Sequence, residues 1–130
     1  MALAKLVQPI GVDVIDCSSG GILGKPPAGA AKPACGYQVP YADRIRKEGG
    51  IMTMAVGLIV RADQAEQILQ NWRADLIALA REMLYNPNWA MDAAQKLGCD
   101  PKFLLVPPPS RYWLERRAVT LPEIKPSTFG

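Results

Sequence analysis

The chain has no histidine in 130 residues, and that absence removes a large part of side-chain chemistry. Ser-His and Cys-His nucleophilic systems are unsupported. Acid–base work near neutral pH falls to a perturbed carboxylate, Lys, Tyr or Cys. Cysteine is scarce as well. Cys17, Cys35 and Cys99 are odd in number and far apart, and no two form a CxxC pair. A zinc site is therefore unsupported, and three reduced thiols in a cytoplasmic protein are expected. No apolar run reaches the roughly 18 residues of a membrane span. Residues 1–6 lack the apolar core and cleavage site of a signal peptide. Net charge is small, +3, and Arg44, Arg46, Lys47 and Glu48 show basic residues mixed with acids. No basic stripe alternates with aromatics, so neither nucleic acid nor membrane is an expected partner.

What remains is an ordinary globular composition, 49% apolar and 21% charged, in a chain long enough to bury one core. Residues 2–9 read as the end of a helix that lacks a preceding cap, with Leu3, Leu6 and Val7 on one side and Gly11 as its stop. Val12-Asp13-Val14-Ile15-Asp16-Cys17 then reads as a strand rich in β-branched residues, of the kind that helices cover on both faces. Residues 18–36, dominated by Gly, Pro, Ala and Ser, form a long loop, and such loops in compact domains are usually functional. Pro40 suits a first helical turn, Ala42 and Ile45 give an apolar face, and Gly49-Gly50 stops the helix.

The second strand, Ile51-Met52-Thr53-Met54-Ala55-Val56, ends at Gly57. A helix is expected from about Asp63. There Asp63 and Glu66 have capping-box spacing, and Ala65, Ile68, Leu69 and Trp72 recur at helical intervals. The third strand is Ala74-Asp75-Leu76-Ile77-Ala78-Leu79, followed by a short helical piece over 81–84. Asn86-Pro87 supplies a cap and first-turn proline for a helix with Trp89, Ala90, Ala93, Ala94 and Leu97 on its apolar face and Gly98 at its close. Such alternation specifies an α/β fold with parallel strands and right-handed crossovers. Residues 1–106 read as βα units. Residues 107–130, opened by Pro107-Pro108-Pro109, read as a Pro-rich tail with one short helix.

Ligands of parallel α/β folds sit at the carboxyl ends of the strands. Three segments fall there: Cys17-Ser18-Ser19-Gly20-Gly21, Val56-Gly57-Leu58 and Ala80-Arg81. Gly57 permits close backbone approach, and Arg81 opens a short helix whose amides and guanidinium suit a phosphate. Alternatively, Gly57 is a turn glycine and Arg81 caps a neighbouring helix; taken together and in order, the two favour phosphate. Ser18 and Ser19 have no base and read as loop hydroxyls. Cys17 reads as a small core residue. Trp113 either pins the tail to a surface or reaches into an active site.

The same segments, with Tyr37-Gln38-Val39-Pro40-Tyr41-Ala42, Arg73-Ala74-Asp75-Leu76-Ile77-Ala78-Leu79-Ala80-Arg81-Glu82 and Asn86-Pro87-Asn88-Trp89, resemble in order and spacing the C-terminal part of old yellow enzymes of the thermophilic-like, xenobiotic-reductase class. The resemblance covers roughly residues 2–117. It implies the C-terminal portion, about three βα units (strands 6–8), of a (β/α)8 TIM barrel. It also implies an FMN-dependent NAD(P)H oxidoreductase, an ene reductase acting on small enone-type substrates. By the same resemblance Val56, Gly57, Ala80 and Arg81 bind the FMN phosphate, and Trp113 and Arg116 reach substrate or a neighbouring subunit of a homo-oligomer. Gly is usual in the family at Trp72, and often at Ala80. The family's catalytic residues lie in earlier strands, so none is assigned here, nor any metal ligand. A barrel needs eight strands, so a complementary N-terminal barrel chain is the expected partner. The alternative is a non-enzymatic interaction module derived from a barrel fragment.

Overall fold

In the computed structural model, which describes residues 2–19, 24 and 32–124, the apolar segments pair as β1 (Val14–Asp16), β2 (Met52–Ala55) and β3 (Leu76–Ile77). All pairing is parallel, in the order β1-β2-β3, so the α/β reading holds. Each strand is shorter than its apolar run, because the run's ends leave the ladder for loops. Single bonds persist just beyond: the N–H groups of Cys17 and Ala78 donate to Met54 O and Ala55 O at 3.0 and 2.8 Å. Most of the long loop expected over 18–36 lies outside the described residues.

Register sorts the side chains by face. Val14 pairs with Met52, Asp16 with Met54, and Met54 with Leu76; partners across a parallel ladder project to the same side. The opposite face carries Ile15, Thr53, Ala55 and Ile77. On it Thr53 and Ala55 are fully buried, and helices α2 (Val39–Gly49) and α3 (Ala62–Gln70) pack against β2 and β3. Met52 and Leu76 on the first face remain about half exposed. Within the first unit helices therefore cover one face, where the sequence suggests two.

The first compact unit, Met1–Glu82, opens with α1 (Ala2–Val7) and a 3-10 turn, Gln8–Ile10, ended by Gly11. Ala4, not Leu3 or Leu6, is the buried residue of α1, since the close approach to Gly49 leaves room only for a small side chain. Arg46 of α2 lies with Nε 3.0 Å from both Asp75 oxygens. The same carboxylate accepts the Thr53 N–H at 2.9 Å, and the Asp75 N–H returns to Thr53 O at 2.9 Å. One half-buried carboxylate thus fixes the β2–β3 register and the helix above it. Charge-assisted bonds of this kind contribute about 1.5–3 kcal/mol each, offset in part by desolvation.

Two local expectations are corrected. The N-cap of α3 is Arg61, without a side-chain cap bond; Asp63 sits inside the first turn and pairs with Arg61 at 2.9 Å. That bond holds the Asp63 carboxyl below its ordinary value. Trp72 is not on the apolar face of α3. It follows the C-cap Asn71 at φ +56°. Its N–H and that of Arg73 bond back to Leu69 O and Ile68 O at 2.9 and 3.0 Å, the Schellman closure in which Gly is usual. Trp72 is 66% exposed, and the Arg46 guanidinium stacks 5.1 Å from its ring centroid.

In the second unit, Met83–Gly130, the N-cap position of α5 (Trp89–Lys96) is Asn88, without a side-chain cap bond. Asn86, expected as the cap, instead accepts the Asn88 N–H at 3.1 Å and donates to Asp92 at 2.9 Å. Gly98 closes α5 as expected, with the Cys99 N–H on Ala94 O at 2.8 Å. Ala93 and Ala94 are its buried face, and Ala90 is exposed. Buried Asp100 accepts the N–H groups of Leu104 and Leu105 at 2.7 and 3.0 Å. Arg111 donates to the carbonyls of Phe103, Leu104 and Val106. These bonds root α6 (Pro108–Thr120), a 13-residue helix where a short one is expected. Bridging the two units in sequence is α4, Arg81–Tyr85.

Candidate functional site

Three parallel strands with helical crossovers put all their carboxyl ends on one side. There the tips of β2 and β3 open a cleft of about 290 Å³. Its wall includes Val56, Gly57 and Leu58 beyond β2, then Ala80 and Arg81 beyond β3. All four residues expected to bind one phosphate therefore meet in one cleft. Gly57 has φ +113° and Leu58 φ +54°, so the chain turns sharply at the tip of β2, in a conformation that a side chain at 57 would strain.

A second reason for glycine at 57 lies behind it. A Cβ there would stand 3.1 Å from Tyr37 Cε1 and 3.1 and 3.2 Å from Gln38 Cγ and Cβ. Tyr37 and Gln38 line the same cleft, and they precede α2. The Gly36 N–H donates to Gly57 O at 2.8 Å, docking that turn onto the strand tip. Gln38 is 5% exposed. Its Nε2 donates to Tyr37 Oη at 2.8 Å, and its Oε1 accepts the Ser19 N–H from the loop after β1. The sequence pointed to neither role. A glutamine ahead of a helix reads as solvated, and only the tertiary approach of three segments buries it.

The charged groups on the cleft wall are Arg81 and Glu82. Arg81 is exposed and starts α4. That helix has five residues, so its macrodipole is small, and attraction for an anion rests on nearby amides and the guanidinium. A space of about 290 Å³ lies at the lower end of small-molecule sites, roughly 300–1,000 Å³.

Cys17, just beyond β1, is buried, and its thiol donates to Ile15 O at 3.4 Å. Burial, helped by the neighbouring Asp16 charge, pushes its thiol pKa up, which suits a core residue rather than a nucleophile. Trp113 and Arg116 lie on α6. Trp113 is 70% exposed and meets Tyr112 edge to face at 5.1 Å between centroids, while Arg116 stands 5.9 Å over the Tyr112 ring. Among the described residues no group of three or more His, Cys, Asp or Glu is placed to hold a metal. No helix of these residues is long and apolar enough to cross a membrane.

Residues 1–99 match the family model of the NADH:flavin oxidoreductase / NADH oxidase family. Similar curated proteins include an NADPH dehydrogenase of Halalkalibacterium halodurans, 52% identical over 98 residues, which are 75% of this chain and 28% of the relative. An NADPH dehydrogenase of Listeria monocytogenes is 52% identical over 96 residues, 73% of this chain and 27% of the relative. One from a Geobacillus species is 53% identical over 95 residues, again 73% and 27%. The chain thus spans little more than a quarter of the length of the relatives it matches.

Proposed function

The chain belongs to the old yellow enzyme family, the NADH:flavin oxidoreductase / NADH oxidase family, and from that premise we propose that it supplies the FMN-phosphate-binding C-terminal part of an NADPH-consuming ene reductase. The observation that carries this reading is the meeting of Val56, Gly57, Ala80 and Arg81 in one cleft. Backbone amides at the two strand tips and the Arg81 guanidinium would hold the phosphate, and the adjoining wall the polyol chain. The chemistry supplied by bound FMN is hydride relay from nicotinamide to an activated C=C bond. This chain's part in it is to anchor and orient. It has no histidine, and groups that grip a substrate carbonyl would come from elsewhere.

Two features support completion by an N-terminal barrel chain. Val14, Asp16, Met52, Met54 and Leu76 share a mostly apolar sheet face on which Met52 and Leu76 stay about half exposed, and the outer edges of β1 and β3 have no strand partner among the described residues. Unpaired edges of a parallel sheet are templates for further strands, and an apolar inner face is what a closed barrel fills with side chains. In the assembled enzyme the exposed Tyr112-Trp113 pair and Arg116 of α6 would meet a neighbouring subunit of a homo-oligomer or the enone substrate.

Co-expression with the N-terminal part of the Halalkalibacterium halodurans relative tests the proposal. The purified complex is expected to carry a flavin absorbance spectrum and to oxidise NADPH when given an enone. The Arg81→Ala variant should retain FMN about tenfold more weakly, the low end for an exposed charge-assisted contact. A stable complex that never retains flavin would overturn the reading in favour of a non-enzymatic interaction module.

A further inference from the structure

We propose that Gln38 is the positioning residue of the cleft, bracing the backbone at Gly57 and tying it to Ser19 beyond β1 so that the strand-tip peptide groups face one anion. The inference rests on the phosphate reading above and assigns a determinant of that site outside the two strand tips.

Gln38 is a polar side chain with 5% exposure, and a buried carboxamide must find partners for its donors and acceptors. It finds them in separate places. Oε1 takes the backbone N–H of Ser19, 19 residues away in sequence, and Nε2 gives to Tyr37 Oη at 2.8 Å. Its aliphatic part occupies the volume that a Cβ on residue 57 would need, at 3.1 and 3.2 Å, with Tyr37 Cε1 beside it at 3.1 Å. The carbonyl of Gly57 is held by the Gly36 N–H at 2.8 Å. Residue 57, with φ +113°, is thus clamped through its carbonyl and through the back of its Cα by one turn, and the carboxamide locks that turn to the loop after β1. An apolar residue at 38 fills the space but leaves the Ser19 N–H without its acceptor. The turn ahead of α2 then loses its tie to Ser19, and the Gly57 backbone that it braces loses its fixed orientation toward an anion.

The test uses the whole chain, inorganic phosphate as probe, and amide resonances of Ser19, Gly57 and Arg81 as readout. Wild type is expected to show phosphate-dependent shifts at Gly57 and Arg81. Gln38→Leu should weaken phosphate binding about tenfold, the order expected when two neutral hydrogen bonds go, and should shift the Ser19 amide without phosphate. Tyr37→Phe, which removes one bond, should weaken binding about threefold. Gln38→Glu supplies the control that a merely structural role would not follow. Protonated, its carboxyl reproduces one acceptor and one donor, so binding relative to wild type at the same pH should be near one in acid. Ionised, it loses the donor toward Tyr37 Oη and adds a negative charge to the cleft wall, so that ratio should fall as pH rises through the new carboxyl's titration. If wild type shows no shift at Gly57 and Arg81, the phosphate reading itself fails. If wild type binds while Gln38→Leu binds equally, or the Gln38→Glu ratio stays flat with pH, the role of Gln38 alone is overturned. Should Gln38→Leu not fold, Tyr37→Phe and Gln38→Glu decide in the same way.

Discussion

Replacing Gly57 by alanine separates two reasons for glycine at the tip of β2. Its φ of +113° strains any L side chain, which costs about 1–3 kcal/mol. The new methyl would also press on Tyr37 and Gln38 at 3.1–3.2 Å, and overpacking a fixed environment adds about 1–3 kcal/mol. Gly50 provides the comparison. It ends α2 at φ +69°, and a Cβ there meets nothing within 4 Å, so Gly50→Ala carries the backbone strain alone. Urea unfolding followed at the Thr53 and Ala55 amides reports on the strand beneath the cleft. With a slope of about 1–1.5 kcal/mol per molar urea for a small unit, the Gly57→Ala midpoint should lie roughly 1–2 M below that of Gly50→Ala. Equal midpoints would refute the account, because they would mean that Tyr37 and Gln38 yield without cost and do not brace the strand tip.

Three further outcomes follow from the same geometry. Trp72 occupies the left-handed closing position of α3, so Trp72→Gly should be about 1 kcal/mol more stable than Trp72→Ala in chemical denaturation; in a helix interior alanine wins, and that order here would contradict the assignment. Thr53 is fully buried, and its hydroxyl has no hydrogen-bond partner, so Thr53→Val should raise stability by about 1 kcal/mol, checked by the thermal midpoint. The buried Cys17 has its thiol pKa raised, whereas Cys35 and Cys99 are exposed. Alkylation of the folded chain near pH 8, read by mass, should therefore modify two thiols and reach the third only in denaturant. By linkage, the preference of folding for the neutral Cys17 thiol is intact below the unfolded thiol's pKa and is lost as pH rises through the raised folded value. Folded-state stability should then decline on the alkaline side.

The order of elements and the position of the cleft were legible because they depend on local signals: β-branched runs, glycines at turns, and a proline in a first helical turn. Pro40 and Gly50 bound α2 as the sequence suggests. Arg81 begins α4 just beyond residues 78–80, which follow β3. Features that depend on distant partners were not legible. Asp63 looks like a cap, but Arg61 draws its side chain into another bond; Asn86 lies two residues ahead of the N-cap position of α5 and bonds both the Asn88 N–H and Asp92. Trp72 falls in helical phase with Ala65 and Ile68, yet the helix closes one residue earlier and turns it outward. Gln38 is buried only because the loop after β1 and the tip of β2 converge on it. No spacing within α2, which it precedes, records that.

The central claim is that the strand tips recognise a flavin's phosphate, and a comparison of FMN with riboflavin tests it most directly. The two ligands share the ring and polyol and differ in the phosphate. Titrating each into the chain while following its amide resonances should move Gly57, Leu58, Ala80 and Arg81 with FMN and leave them nearly still with riboflavin. Equal shifts from both ligands, or FMN shifts that leave Gly57 and Arg81 untouched, would contradict the account.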